Sequence, residues 1–411
     1  MARVYSDRIR VAIDIGTTKI CVLVAHHVHG KAVEILGIGR SPSHGLKKGV
    51  VVDIAKTVQS IKEAVKEAEL MSGMPIDSVA IGVSGGHIHS INSQGVVPIE
   101  KGVVREQDVA KAIASARAVP LAEGQQILHV LPQFFIIDGQ EHVADPLGMH
   151  GTRLEVLVHI IIGSISSVQN LITCCERAGI KVSDVILEQL ASADAVLSDD
   201  ERELGVGILD IGGGTADFAV FQNGSIRHTM VLPVAGNHFT NDVAVCLRTT
   251  LAEAERIKCE FGVVMSSKLF ENRLIPINLV HGGEQTVVTS REIMHVVEPR
   301  AREMITIIAQ EIDKFHLRSV MPTGLVLTGG GSQLAGFTEL AAEILNMPVR
   351  LGSPQGAYDM PESLKSPVFA TGYGLLVHLL AGEKGSNIVE MNGPLVQRIV
   401  MRMKSWVSDF M

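Results

Sequence analysis

Two stretches of this chain repeat one phrase. VAIDIGTTKICVLV runs from Val11 to Val24, and GILDIGGGTADFAVF from Gly207 to Phe221. Each is an apolar run, Asp-Ile-Gly, a few small or hydroxylic residues, and a second apolar run. Alone, either phrase reads as a β-hairpin closed by a glycine turn. Written twice, it asks for two copies of one folding unit, a tighter restriction on the fold than composition gives.

The residues after each phrase keep a common order. In the first half VEILGIG (Val33 to Gly39) reads as a third strand and SVAIGVSG (Ser78 to Gly85) as a buried one. Between them DIAKTVQSIKEAVKEAELMSG (Asp53 to Gly73) predicts a helix, with Ile54, Val58, Ile61, Val65 and Leu70 as its apolar stripe and Gly73 at its C-terminal end. In the second half GSIRHTMVLPVAG (Gly224 to Gly236) predicts a strand, and helices are expected over His238 to Gly262 and Thr289 to Leu317. GLVLTGGGSQLAGFTELAAEILNMPVRLGSP then reads strand, glycine loop, helix, strand. Strands alternating with helices indicate an α/β class, and the repeat implies a pseudo-symmetric pair of lobes with a cleft between them.

The expected domains follow. Residues 1–84 and 164–197 form the first lobe, and 198–381 the second, with a subdomain over about 240–315. Residues 85–163 interrupt the first lobe with a helix and several strands, enough for a small inserted α+β domain. Long ordered insertions are often functional, which favours a docking or polymer-contact module over ornament. A polar linker, 382–394, leads to a last segment at 395–411.

Composition narrows the partners. A net charge of -8 weighs against a general nucleic-acid binder. Five cysteines, without a C-x-x-C, signal neither a disulfide framework nor a zinc site. The first residues, MARVYSDRIR, lack a signal-peptide core, and no run approaches the roughly 20 apolar residues that span a bilayer. A cytosolic protein is expected, reaching any membrane by another route.

The repeated turns suit phosphate. Tight glycine turns aim several backbone N–H groups at one spot and hold anionic oxygens without side-chain charge. In DIGTTK, Gly16, Thr17 and Thr18 supply amides and hydroxyls, and Lys19 a cation. In DIGGGT, Gly212, Gly213 and Gly214 permit close backbone approach, and Thr215 adds a hydroxyl. Two such turns facing each other would grip a polyphosphate from both sides. Asp14 and Asp210, each opening its turn, suit a hydrated Mg2+, which prefers carboxylates, phosphate oxygens and water. One motif alone reads at least as well as a structural hairpin whose Asp caps its own turn. The pair, with TGGG later in the chain, does not. No P-loop is present, since GGGSQLAG lacks the lysine.

DIGTTK, DIGGGTADF, VAGN and LTGGGSQLAGF together resemble the phosphate loops, linking segment and adenosine motif of the actin, sugar-kinase and heat-shock-chaperone ATPase superfamily. That resemblance implies duplicated RNase H-like lobes with ATP and Mg2+ in an actin-like cleft. It matches Glu255 and Lys258, in AEAERIKCEFG, to the helix that reaches ribose and adenine. Gly329, Gly330 and Gly331 fall along base and α-phosphate, and Gly236 and Asn237 approach from the second lobe.

The tail carries a separate signal. In GPLVQRIVMRMKSWVSDFM, helical spacing puts Val396, Ile399, Val400, Met403, Trp406, Val407 and Phe410 on one stripe, with Met401 the one apolar residue off it. Arg398, Arg402 and Lys404 make this end basic in an acidic chain. Such a stripe by default packs on its own domain. After a polar tether it matches instead an interfacial helix on an anionic membrane surface.

With SPSHGLKKGVVVD, ILHVLPQ, DERELGVGILDIGGGT and HVVEPR added, the chain resembles the FtsA family of actin-like bacterial cell-division proteins over nearly its whole length. That implies an ATP-binding protein that polymerises with copies of itself on the cytoplasmic face of the inner membrane at the division site. It further implies anchoring of the FtsZ ring through the FtsZ C-terminal peptide, and recruitment of later division proteins through the insertion. VVEPRAREM matches the FtsZ-tail region, nominating Arg300 and Glu303. Hydrolysis is at most slow by this resemblance. Asp210 is the general-base candidate by position, equally consistent with a metal-water ligand. Two readings of the same lobes stay open: a small-molecule kinase, for which the tail has no purpose, and a pilus-assembly scaffold, which reaches its membrane partner by peptide docking. A chaperone would need a further substrate-binding domain.

Overall fold

The computed structural model describes residues 9–28, 32–269, 271–280, 286–356 and 360–381. The tail residues from Val396 to Phe410 and the linker before them lie outside the described residues.

The repeated phrase folds as two matching sheets. Ile9–Ile15 and Lys19–Val28 pair antiparallel, with Asp14 opposite Cys21 and Ile15 opposite Ile20. Ala32–Pro42 extends the sheet on one side; Ser78–Val83 and Lys181–Leu187 extend it in parallel on the other. In the second sheet Val206–Ile211 pairs with Ala216–Gln222, Asp210 opposite Asp217. Ser225–Leu232 lies outside that pair, and Leu325–Thr328 and Val349–Leu351 continue in parallel. Strand order and direction are the same in both. Asp14 and Asp210 thus hold one register position, each one residue before its hairpin's last pair. Every residue of Val206–Ile211 is buried, as expected of a central strand covered on both faces.

The helices show where periodicity sufficed. Ile54–Ser72 starts at Asp53, whose carboxylate accepts the Lys56 N–H, and ends at Gly73 in the left-handed region. Ile61, Ala64, Val65 and Ala68 are its buried face. Leu70, assigned to that stripe, is 76% exposed. At about 100° per residue it lies about 160° round from Ile54, on the solvent side. His238 to Gly262 is two helices, Gly236–Leu247 and Leu251–Phe261. Arg248 turns left-handed at φ 53, and Thr250 caps the next helix through the Glu253 N–H. Ser290–Lys314 opens on a Thr289/Glu292 capping box.

Between Ser78–Val83 and the helix Ile165–Arg177 stands a four-stranded sheet of His89–Pro98, Arg153–Ser164, Gln125–Ile137 and Gln140–Val143, in that spatial order. The helix Glu106–Arg117 packs on it, and Ala112, Ile113, Val130, Phe135, Leu154 and Val156 belong to a core of its own. Two helices join the lobes. Glu188–Val196 leads from the first sheet toward the second, and Ala370–Ala381 returns, burying Leu375, Leu376 and Leu380 with first-lobe residues. They cross closely because position 374 is glycine: any Cβ there would strike the Ala191 carbonyl. Among the described residues no helix is long and apolar enough to cross a membrane.

Candidate functional site

Each hairpin turn closes with the same hydrogen bond: Gly16 N–H to the Lys19 carbonyl at 3.0 Å, and Gly212 N–H to the Thr215 carbonyl at 2.9 Å. The turns meet across the cleft. Thr18 lies against Gly213 and Thr17 against Gly214, so closely that a Cβ on either glycine would overlap a threonine hydroxyl. A ligand held by both turns therefore lies beside this contact and not through it. The start of the Gly236–Leu247 helix braces the second turn: Gly236 N–H donates to the Gly212 carbonyl at 2.9 Å and Asn237 N–H to that of Gly213 at 2.8 Å.

Carboxylates gather beneath the turns. Asp14 is buried and accepts Lys19 Nζ at 2.7 Å through Oδ2. Burial works against the Lys19 charge, but Asp14, with Asp210 further off, outweighs it and leaves the ammonium harder to deprotonate than usual. Burial also pushes the Cys21 thiol up to about 11, so it is no nucleophile at neutral pH. Asp210 Oδ2 accepts the hydroxyls of Ser192 and of Thr371, the latter at 2.8 Å. Burial raises the Asp210 carboxyl more than these hydroxyls lower it, and the Asp14 charge adds to the rise. Ser192 and Thr371 sit on the two crossing helices, so Asp210 is tied to both passages of the chain between lobes.

Two members of this group escaped the sequence reading. Asp217 is buried, accepts Ser84 Oγ at 2.5 Å from the other lobe, and is pushed up to about 7, chiefly by burial. Glu188, the first residue of its helix, lies against Gly82. Burial first, then Asp217, Asp14 and Asp210, raise it well above the usual carboxylate range. A glutamate opening a helix is ordinary complement to the helix dipole and gives no signal, whereas Asp217 is the one charged residue in the buried run from Ala216 to Phe221, a signal that could have marked it. Four carboxyl groups against one lysine favour bound cation or proton. Among the described residues no set of three His, Cys, Asp or Glu could by itself hold a metal ion. The oxygen donors of Asp14 and Asp210 therefore fit a Mg2+ that brings water and phosphate oxygens, not a cage of side chains.

The remaining cleft candidates connect to these turns. Lys258 is buried, with Nζ 2.7 Å from Glu255 and 3.1 Å from Thr240 Oγ1, and it reaches the Gly236 carbonyl at 3.4 Å. Burial alone would raise the Glu255 carboxyl; Lys258 and Thr240 reverse the shift and hold it low. Gly329, at φ 81, backs onto Asp210 Oδ1 and the Ile211 carbonyl, and Gly331 packs on Ile211. Gly330 faces more open space. Arg300 and Glu303 do not join this cleft. They line a cavity of about 340 Å³ with Asp242, Cys246, His295, Val296 and Pro299. Arg300 pairs with Asp242 at 2.7 and 3.1 Å, and with Glu303.

A family model described as cell division protein FtsA matches residues 207–374, and one for the SHS2 domain inserted in FtsA matches residues 85–162. The cell division protein FtsA of Pseudomonas aeruginosa is 41% identical over 413 residues, covering 99% of each chain. This chain belongs to the FtsA family. FtsA of Escherichia coli K12 is 34% identical across 99% of this chain and 97% of its own length, and FtsA of Bacillus subtilis 36% across 90% and 83%. Two solved structures share the fold alone. One, from the PilM–PilN type IV pilus biogenesis complex, has a TM-score of 0.64 at 19% identity, over 89% of this chain and 97% of that one. The other, MreB5 of Spiroplasma citri bound to ADP, has a TM-score of 0.58 at 15% identity, over 92% and 98%. The fold is actin-like, and the protein is a cell-division protein of the FtsA family. The four-stranded insertion falls on the stretch matched by the SHS2 domain that FtsA proteins carry.

Proposed function

We propose that this FtsA-family protein binds ATP with Mg2+ in the cleft between its lobes, and that nucleotide governs its assembly with further copies of itself. The observation that carries the reading is the pair of matched turns, touching at Thr17, Thr18, Gly213 and Gly214 with Asp14 and Asp210 at one register position. Backbone N–H groups of the turns would hold phosphate oxygens, Lys19 would offset their charge, and Glu255 and Lys258 would face the nucleoside. Bound Mg2+ supplies positive charge at the phosphates. Glu188, its carboxyl raised well above the usual carboxylate range by burial and by Asp217, Asp14 and Asp210, is better suited as general base than Asp210, whose Oδ2 is already held by two hydroxyls. Hydrolysis is slow at most, and Asp210 would hold the water shell of bound Mg2+. Asp210→Ala is expected to weaken Mg-ATP by about tenfold in a calorimetric titration, through loss of one charge-assisted contact. An unaltered titration removes Asp210 from the site.

We further propose that the cavity around Arg300 takes the FtsZ C-terminal peptide, that the stripe from Val396 to Phe410 with Arg398, Arg402 and Lys404 holds the protein to the anionic inner face of the cytoplasmic membrane at the division site, and that the insertion recruits later division proteins. The cavity supports the first part. Pro299 has no N–H, so the His295 carbonyl lacks its helical donor and can accept one from a peptide. Val296 adds an apolar wall and Arg300 a cation. Arg300→Glu is expected to cut binding of an FtsZ C-terminal peptide at least about tenfold by fluorescence anisotropy, while Mg-ATP affinity is kept. Equal loss of both would point to misfolding and not to a docking site.

A further inference from the structure

By sequence the insertion belongs to the first lobe, yet its most directional contacts are with the second. Ser225–Leu232 is the outermost strand of the second sheet, and the insertion covers its free edge. Ser90 Oγ donates to the Thr229 carbonyl at 3.1 Å, and Gln133 Nε2 to that of Ile226 at 2.9 Å. Ser225 Oγ returns a bond to the Gln133 carbonyl at 3.0 Å. His159, only 1% exposed, bridges Asn92 Oδ1 at 2.7 Å and Thr229 Oγ1 at 2.9 Å. Because the Asn92 oxygen only accepts, Nδ1 carries the proton and Nε2 accepts the threonine hydroxyl. Arg227 stacks over Phe134 at 5.2 Å.

The seam to the first lobe is of another kind. Ile161, Leu128 and Leu131 join the apolar cluster built mainly on the first-lobe sheet, which also takes in Phe221 and Ile226 of the second lobe, and His129 Nε2 accepts the Leu187 N–H at 3.1 Å. The two covalent connections lie side by side, since the Ser164 N–H reaches His87 Nδ1 at 3.4 Å. The inbound connection contains Gly85, at φ 142, and Gly86, which has open space about it. Adjacent connections, one of them with an exposed glycine at position 86, make a hinge line. Apolar packing tolerates small sliding, whereas parting the polar seam strands buried hydrogen-bonding groups.

We propose that the inserted domain travels with the second lobe as one rigid body and pivots on the first lobe at Gly85–Gly86 and Ser164. Any change in cleft opening then reorients the insertion, so the state of the cleft is displayed on its outer surface. This coupling holds whichever ligand occupies the cleft.

The test labels three exposed positions in pairs, Lys62→Cys on the first lobe, Glu123→Cys on the insertion and Ser319→Cys on the second lobe, after the exposed Cys246 and Cys259 are replaced by serine. Distances are read by pulsed EPR with and without Gly213→Val, which wedges the turns apart with no ligand. The 62–319 and 62–123 distances should shift together while 123–319 stays constant. A shift in 123–319 with 62–123 constant overturns the proposal. If the wedge moves neither lobe, a second arm decides. Gln133→Ala with His159→Ala should speed hydrogen exchange of the Ser225–Leu232 amides about tenfold and broaden the 123–319 distribution, sparing the Ile9–Ile15 amides. Unchanged exchange on that edge overturns it as well. Adding Mg-ATP to the parent then asks separately whether nucleotide drives the motion.

Discussion

Gly213→Val is expected to lower Mg-ATP affinity by about tenfold or more while leaving a folded protein. The valine Cβ would fall on the Thr18 hydroxyl, and the Thr18 Cβ itself lies only 3.0 Å from that point. Neither group can yield freely. Thr18 belongs to a tight turn whose carbonyl accepts the Ser43 N–H at 3.0 Å, and the Gly213 carbonyl is held by the Asn237 N–H. Overpacking of this kind costs about 1–3 kcal/mol. Here the strain falls on the contact between lobes, so it is relieved by separation of the turns and not by unfolding. Thr18→Ala in the same chain removes the hydroxyl and should recover part of the lost affinity. Calorimetry on the two single variants and the double variant measures the coupling. Strictly additive effects would show that the turns do not bear on each other in solution.

Trp406→Glu with Phe410→Glu is expected to move the protein from the vesicle pellet to the supernatant. Burying a large side chain of this class is worth about 1.5–3 kcal/mol, so losing two from the proposed membrane-binding stripe would lower partitioning by about a hundredfold or more. The substitutions also add negative charge beside Arg402 and Lys404, which weakens attraction to anionic lipid. Co-sedimentation with anionic vesicles reads the change, and calorimetry with Mg-ATP should read none. Unchanged pelleting would leave the stripe as an ordinary packing face. One such helix holds a monomer reversibly, and association of several copies would multiply its grip. Nucleotide-dependent assembly and membrane residence would then be linked through avidity.

Much of the architecture was legible in one dimension because its causes are local. Asp-Ile-Gly between apolar runs makes a hairpin wherever it stands, and two such phrases with matching followers make two matching sheets. The helix Ile54–Ser72 announced both of its caps through Asp53 and Gly73. Leu70 shows the limit of such spacing: an apolar residue nearly opposite the stripe is 76% exposed. Arg248 shows another: a non-glycine residue turned left-handed divides a helical stretch that carries no breaker.

What the chain could not disclose in linear form depends on groups brought together from afar. Ser84 meets Asp217, Glu188 joins Asp14 and Asp210, and His159 bonds to Thr229 only because the sheets stand as they do. A carboxyl's ionisation is set by burial and neighbouring charge, and neither exists before the lobes assemble. The residues specified the two turns and their chemistry. The tertiary structure alone decided that these turns touch, that four carboxyl groups gather beneath them with Lys19 paired to Asp14, and that the insertion seals the edge of the lobe to which its sequence does not belong. Turn geometry follows from backbone torsions a few residues long, whereas desolvation and edge pairing are properties of the assembled body.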